Sequence, residues 1–153
     1  MTNSPSSASS PNNALLAPFT PPYDEIELRV RYSETDRMGV AHNRVYLDWF
    51  EMGRTEFCRR KGLSYREIEE REVFLVVAEA FCRYRRPLRY DDRFLIRTAL
   101  RALSPRKATF VYELRTLDGT TLIAQGYTVH VAVNRSGAVS SMPPDVVGLI
   151  GRP

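Results

Sequence analysis

Residues 32–54 read YSETDRMGVAHNRVYLDWFEMGR, and several residue types in this stretch could do acid-base or nucleophilic chemistry. Two carboxylates, Glu34 and Asp36, are followed by Gly39, by one of the chain's two histidines, His42, and by Asn43. A carboxylate beside an electrophilic carbonyl can act as general base on water or attack the carbonyl directly. Charge that then develops on the carbonyl oxygen needs a holder. The free N–H groups of a helix start, at the positive end of its macrodipole, supply one. Each residue also has a plain structural use. A lone aspartate in a loop before a helix is ordinarily a turn or cap residue, Glu34 reads as a solvated neighbour, and Gly39 as a loop glycine that permits an unusual backbone or a close approach. His42 fits a position facing solvent or a neighbouring subunit as readily as one touching a ligand. Asn43 reads first as an N-cap. Its backbone N–H is the functional group on offer, because its amide side chain can orient water without exchanging protons.

These residues need elements to position them. Upstream, Ile26, Leu28, Val30 and Tyr32 alternate with Glu25, Glu27, Arg29 and Arg31, the period of a half-buried strand. After Asn43 the period becomes helical: Tyr46, Phe50, Gly53 and Phe57 share one side with Trp49 adjacent, opposite a stripe of Arg44, Asp48, Glu51, Thr55 and Arg59. The spacing predicts a helix over about 44 to 61, roughly 27 Å long, closed by basic residues and Gly62. Gly53 within it implies a close backbone approach, and Glu51 with Arg54 a surface or subunit-contact ion pair. SYREIEE at 64–70 carries a capping box and predicts a short second helix. Four strands follow, at about 74–85, 93–102, 107–117 and 121–134, with Asp118-Gly119 marking a hairpin between the last two. His130 falls in the last of them, as a sheet or interface residue. One sheet wrapped around one long helix, an α+β architecture, is the simplest arrangement that buries the aromatic helix face. Its exposed edge strands favour self-association.

At 153 residues the chain suits one domain, expected over 23–153. Residues 1–22 contain no charged side chain, are rich in Ser, Pro, Asn and Ala, and read as a disordered tail. The longest apolar run there is ALLA, which supports neither a secretory signal nor a membrane span, so a cytoplasmic protein is expected. Cys58 and Cys82 are too few and too distant for a disulfide framework or a zinc site and read as buried small hydrophobes. Net charge is +4, carried almost wholly by arginine since Lys61 and Lys107 are the only lysines. That excess suits an anionic partner, and RYRRPLRYDDR gathers Arg83, Arg85, Arg86 and Arg89 where nucleotide phosphates could be met. Nucleic acid is not expected, because the long helix spends one face on packing and mixes acids with arginines on the other.

The order of elements, RYSETDRMGVAHNRVYLDWFEMGRTEF and the later YRRPLRYDDRF resemble hotdog-fold acyl-CoA thioesterases of the 4-hydroxybenzoyl-CoA thioesterase type. The likeness runs from about Glu25 to Pro143. It implies a hotdog fold, a five-stranded antiparallel sheet around one central helix, and hydrolysis of an acyl- or aroyl-CoA thioester without metal or cofactor. It also implies a homodimer or homotetramer. Asp36 takes the place of the family's catalytic carboxylate, and Asn43 would contribute at the helix start, with Gly39, His42 and Tyr46 as substrate contacts. Members carry His or Tyr seven residues after that aspartate. Here Asn43 stands there, with His42 one place earlier and so turned by about 100°. Two alternatives stay open beside a CoA thioesterase: a thioesterase acting on acyl carrier protein, and a non-catalytic acyl-CoA binding module. The Asp and His placement of the hotdog hydratases is not visible.

Overall fold

A computed structural model describes residues 11–16 and 19–153. Alternation after Tyr23 produces strand β1, Asp24–Arg29, which packs Ile26 and Leu28 on the core and exposes Glu27 and Arg29. The strand ends at Arg29 rather than 32. Val30 is still buried, but Tyr32 opens a 3-10 turn, Tyr32–Glu34, and is 78% exposed instead of facing the core. The long helix α2, Val45–Arg60, lies mainly on β3, Arg93–Ser104, and on β1. With β2, Phe74–Tyr84, β4, Lys107–Arg115, and β5, Leu122–Val133, the sheet has the order β1-β3-β4-β5-β2, every pair antiparallel. This is the five-stranded sheet around one helix that the periodicities predict. Strands β4 and β5 are hairpin partners, although the connection is the longer loop 116–121, tied by Asp118 to Thr116 and Thr120, with Gly119 at φ +74°.

The aromatic face of α2 supplies the core. Trp49 packs on Phe94 with ring centroids 4.6 Å apart, Phe50 stacks on Tyr112 at 4.3 Å, and Phe57 meets Phe110 edge-on at 5.7 Å. Burial of each such ring contributes about 1.5–3 kcal/mol. Gly53 makes the close approach possible, since a Cβ there would stand 2.5 Å from Thr98 Oγ1 on β3. Helix α3, Tyr65–Glu70, begins with the expected capping box: Ser64 Oγ accepts the Glu67 N–H at 3.2 Å and the Glu67 carboxylate accepts the Ser64 N–H at 2.7 Å. A C-terminal helix, α4, Pro144–Ile150, is unanticipated and buries Val146 and Ile150. Its start carries Pro144 and Asp145, residue types that favour a first helical turn.

Two polar residues depart from expectation, and His130 keeps its expected place in the sheet. Arg54 is not in a surface pair with Glu51 but buried at 6% exposure, its Nε donating to Tyr65 Oη at 2.6 Å and its Nη1 to Tyr112 Oη at 3.3 Å. Helix rotation explains this, because position 54 follows Phe50 by four residues and shares its face. Glu34 is buried rather than solvated, its carboxylate gripping the Arg31 guanidinium and backbone N–H. His130 is fully buried, with Nε2 hydrogen-bonded to Thr128 Oγ1 at 2.9 Å and Nδ1 without a partner. Burial, followed by the nearby Arg54 charge, pulls its pKa down to about 4.

Within the stretch expected to be a tail, residues 1–10 and 17–18 lie outside the described ones, and Pro11–Leu15 forms a short helix, α1. Leu15, Leu16, Phe19 and Tyr23 pack on Ala99, Val111, Tyr127 and Val129, on the sheet face away from the main core. Tyr127 Oη donates to Asn12 Oδ1 at 2.9 Å. An uncharged segment with a few apolar side chains is thereby paired with an apolar sheet face. No helix among the described residues is long and apolar enough to cross a membrane.

Candidate active site

The loop from Thr35 to Ala41 is a closed turn. Asp36 N–H donates to Val40 O at 2.9 Å and Gly39 N–H to Asp36 O at 3.0 Å. Gly39 sits at φ +76°, where a side chain would be strained. Asp36 Oδ1 accepts the N–H of Met38 at 2.8 Å and of Val40 at 3.4 Å, while Oδ2 has no hydrogen bond among the described residues. The turn is held from two sides. Ala41 N–H reaches Leu88 O at 2.7 Å, and His42 N–H reaches the backbone O of the buried Glu34 at 2.8 Å.

Asn43 does not cap α2. The N-cap position is Arg44, already in helical conformation and without a side-chain cap, and the Asn43 side chain is exposed. The chain is turned before the helix begins, with His42 O accepting the Val45 N–H at 3.0 Å and His42 Nδ1 accepting the Arg44 N–H at 3.3 Å. The imidazole thus takes the place at the helix entry that sequence reading assigned to the asparagine. Accepting on Nδ1 leaves the proton of the neutral ring on Nε2. The Asn43 N–H has no partner among the described residues, whereas its carbonyl accepts Tyr84 Oη at 2.9 Å.

Asp36, His42, Asn43 and Tyr46 line one cleft of about 380 Å³, closed on its other side by Tyr84, Arg85, Arg86 and Pro87 from the end of β2. Of the five residues singled out in the sequence, four meet here. Gly39 does not line the cleft and serves the turn. Tyr46 is buried at the back, its ring perpendicular to that of Tyr84 at 4.8 Å. Burial first, and Cys82 next, push its hydroxyl up to about 12, so the phenol is neutral. Tyr84 is pushed up to about 12 as well, by burial and then by Cys82. Trp49 is core rather than lining. The roles of Tyr84 and of the Arg85-Arg86-Pro87 segment rest on long-range pairing of the bridge Val40 to Arg89, which no local pattern announces. A larger cavity of about 470 Å³ lies near the C-terminal end of α2, beside Phe57 and Lys61, and contains none of the candidate residues.

Arg29, Arg31, Arg59, Arg60, Arg93 and Arg97 are ion-paired, but Arg37, Arg44, Arg85, Arg86 and Arg89, all in the two segments that border the cleft, carry no ion pair among the described residues. The cleft therefore has a carboxylate within it and unneutralised cations around it.

Comparison with known proteins agrees with this architecture. Residues 30–149 match the family model of the thioesterase-like superfamily. The crystal structure of a hypothetical protein, AQ1494, from Aquifex aeolicus superposes with a TM-score of 0.78 at 33% identity, covering 83% of this chain and 98% of that one. The hypothetical protein TT1821 from Thermus thermophilus gives a TM-score of 0.78 at 34% identity, over 84% of this chain and 95% of that one. A 1,4-dihydroxy-2-naphthoyl-CoA hydrolase from Synechococcus is 30% identical over 82% of this chain and 87% of its own length. On the matched residues and the shared fold, the chain belongs to the thioesterase-like superfamily, as a hotdog-fold thioester hydrolase.

Proposed function

We propose that this chain hydrolyses an acyl- or aroyl-CoA thioester to the free acid and CoA, with Asp36 as the catalytic carboxylate and the Asn43 N–H as oxyanion donor. One observation carries the proposal: a carboxylate with one unengaged oxygen and a helix-start amide with no partner line the same cleft. A thiolate leaves readily, so a full nucleophile-base-acid triad is not required. In one route Asp36 takes a proton from water as the new C–O bond forms, the carbonyl electrons move to an oxygen held by the Asn43 N–H, and collapse expels the CoA thiolate, which is then protonated. In the other, Asp36 attacks the carbonyl carbon, the C–S bond breaks to expel the CoA thiolate, and water then opens the resulting mixed anhydride to the free acid and the Asp36 carboxylate. His42, with its Nδ1 engaged and its Nε2 protonated, suits a substrate contact better than a base. The unpaired Arg85 and Arg86 at the cleft suit the CoA phosphates.

The test is thiol release from a panel of acyl- and aroyl-CoA substrates by wild type and Asp36→Ala. Turnover in the wild type that survives in the variant would remove Asp36 from catalysis, and tight binding without turnover across the panel would make the chain a binding module. The same unpaired arginines also fit the acidic surface of an acyl carrier protein. Faster hydrolysis of a matched carrier-protein thioester than of the CoA thioester would favour that second substrate. A second copy of the chain belongs to this proposal too. Strand β2 ends the sheet with Val76 and Val77 exposed, an open edge suited to pairing with its own symmetry mate. A monomer mass by sedimentation would rule that out.

A further inference from the structure

We infer that Tyr84 is a positioning residue for the reaction proposed above, its hydroxyl holding the Asn43 carbonyl out of the helix so that the Asn43 N–H stays available in the cleft. In a regular α-helix a carbonyl at position 43 would accept the N–H four residues on, that of Leu47. Here Leu47 N–H donates instead to Arg44 O at 3.2 Å, a tightened first turn, and the Asn43 carbonyl is left outside the ladder. Tyr84 Oη satisfies it at 2.9 Å. The peptide of Asn43 and Arg44 is thereby pinned to the end of β2, a sheet strand, rather than to the helix that it precedes. Four further bonds fix the neighbouring peptides: Ala41 N–H to Leu88 O, His42 N–H to Glu34 O, Val45 N–H to His42 O and Arg44 N–H to His42 Nδ1. Within this set the Asn43 N–H alone is unspent. The Tyr84 ring is held in turn by its perpendicular contact with Tyr46.

Without the hydroxyl, the Asn43 carbonyl is free to rotate toward Leu47 N–H and continue the helix by one step. That rotation turns the Asn43–Arg44 peptide, takes the Arg44 N–H from His42 Nδ1 and, through the Asn43 Cα, loosens the adjoining His42–Asn43 peptide that carries the Asn43 N–H. A donor displaced from the developing charge loses most of its value, while ground-state binding, made elsewhere, is retained.

Tyr84→Phe tests this, because it keeps the ring and the contact with Tyr46. The expected result is a fall in kcat of roughly tenfold to a hundredfold, smaller than or comparable to deletion of an oxyanion donor, with KM within about twofold of wild type. In the free protein, the Leu47 amide should shift in a proton-nitrogen correlation spectrum and gain protection from hydrogen exchange. A Tyr84→Phe protein with wild-type kcat and an unchanged Leu47 amide overturns the inference, and so does a rise in KM with kcat unchanged, which would make the hydroxyl a binding group. Failure of the catalytic proposal is separable. It shows as activity retained in Asp36→Asn, whereas the Leu47 amide reports the peptide in the absence of any turnover.

Discussion

Asp36 Oδ1 accepts the Met38 N–H at 2.8 Å while Oδ2 of the same carboxylate accepts no hydrogen bond among the described residues. One oxygen is used by the turn and the other is the one the proposed reaction would use. Asp36→Asn retains an acceptor for the turn and removes the charge, so kcat should fall by about a hundredfold or more with little change in melting temperature. Asp36→Ala should add a stability loss of about 1 kcal/mol, because the turn amides lose their acceptor. Thiol-release kinetics paired with thermal melts separate the two effects.

Arg85 and Arg86 border the cleft without ion pairs. The double substitution to alanine should raise KM for a CoA thioester by about tenfold or more, the scale of losing charge-assisted phosphate contacts, and leave kcat unchanged. A matched thioester of the phosphate-free pantetheine arm should show no such rise. Equal effects on both substrates would remove the arginines from phosphate recognition.

The Arg54 guanidinium is buried against two tyrosine hydroxyls, and Tyr112 Oη continues to Thr128 Oγ1 at 2.6 Å. Tyr112→Phe takes a partner from a buried cation and should cost about 1–3 kcal/mol in urea unfolding. Arg54→Met removes the charge and keeps most of the volume. It should cost less than Arg54→Ala, which adds a cavity to the loss of the same two hydrogen bonds.

His130 has its pKa lowered from the ordinary 6.5 to about 4 by burial and then by Arg54. Between those values the unfolded chain binds a proton that the folded one refuses, so stability rises with pH across the window. The contribution is fully present above about pH 6.5 and is lost as pH falls toward 4. Its size is about 3 kcal/mol at most. Urea midpoints measured from pH 4 to 7 should flatten in His130→Gln relative to wild type; identical slopes would assign the acid sensitivity to other groups.

Local pattern was enough for the five strands, for helices α2 and α3, for the aromatic core face of α2 and for the place of Asp36 in the loop before it, because periodicity, capping chemistry and turn residues act within a few neighbours. The alternation of Ile26 and Leu28, the Ser64-Glu67 capping box and Gly53 each carry their structural consequence in the residues beside them. Tertiary structure decided the rest. Arg54 looks like a surface partner of Glu51 until the helix rotation places it under Tyr112, and Asn43 looks like a cap until His42 Nδ1 occupies the entry to the helix. The pairing of Val40 with Arg89 brings a segment more than forty residues away to the other side of the cleft, and with it the Tyr84 hydroxyl and the unpaired arginines. Chain segments far apart in sequence meet only after the sheet order is set. A candidate site made from a loop, a helix start and the end of an edge strand is therefore a property of the fold, while Asp36 was singled out in the chain by its place before the helix and by the family resemblance.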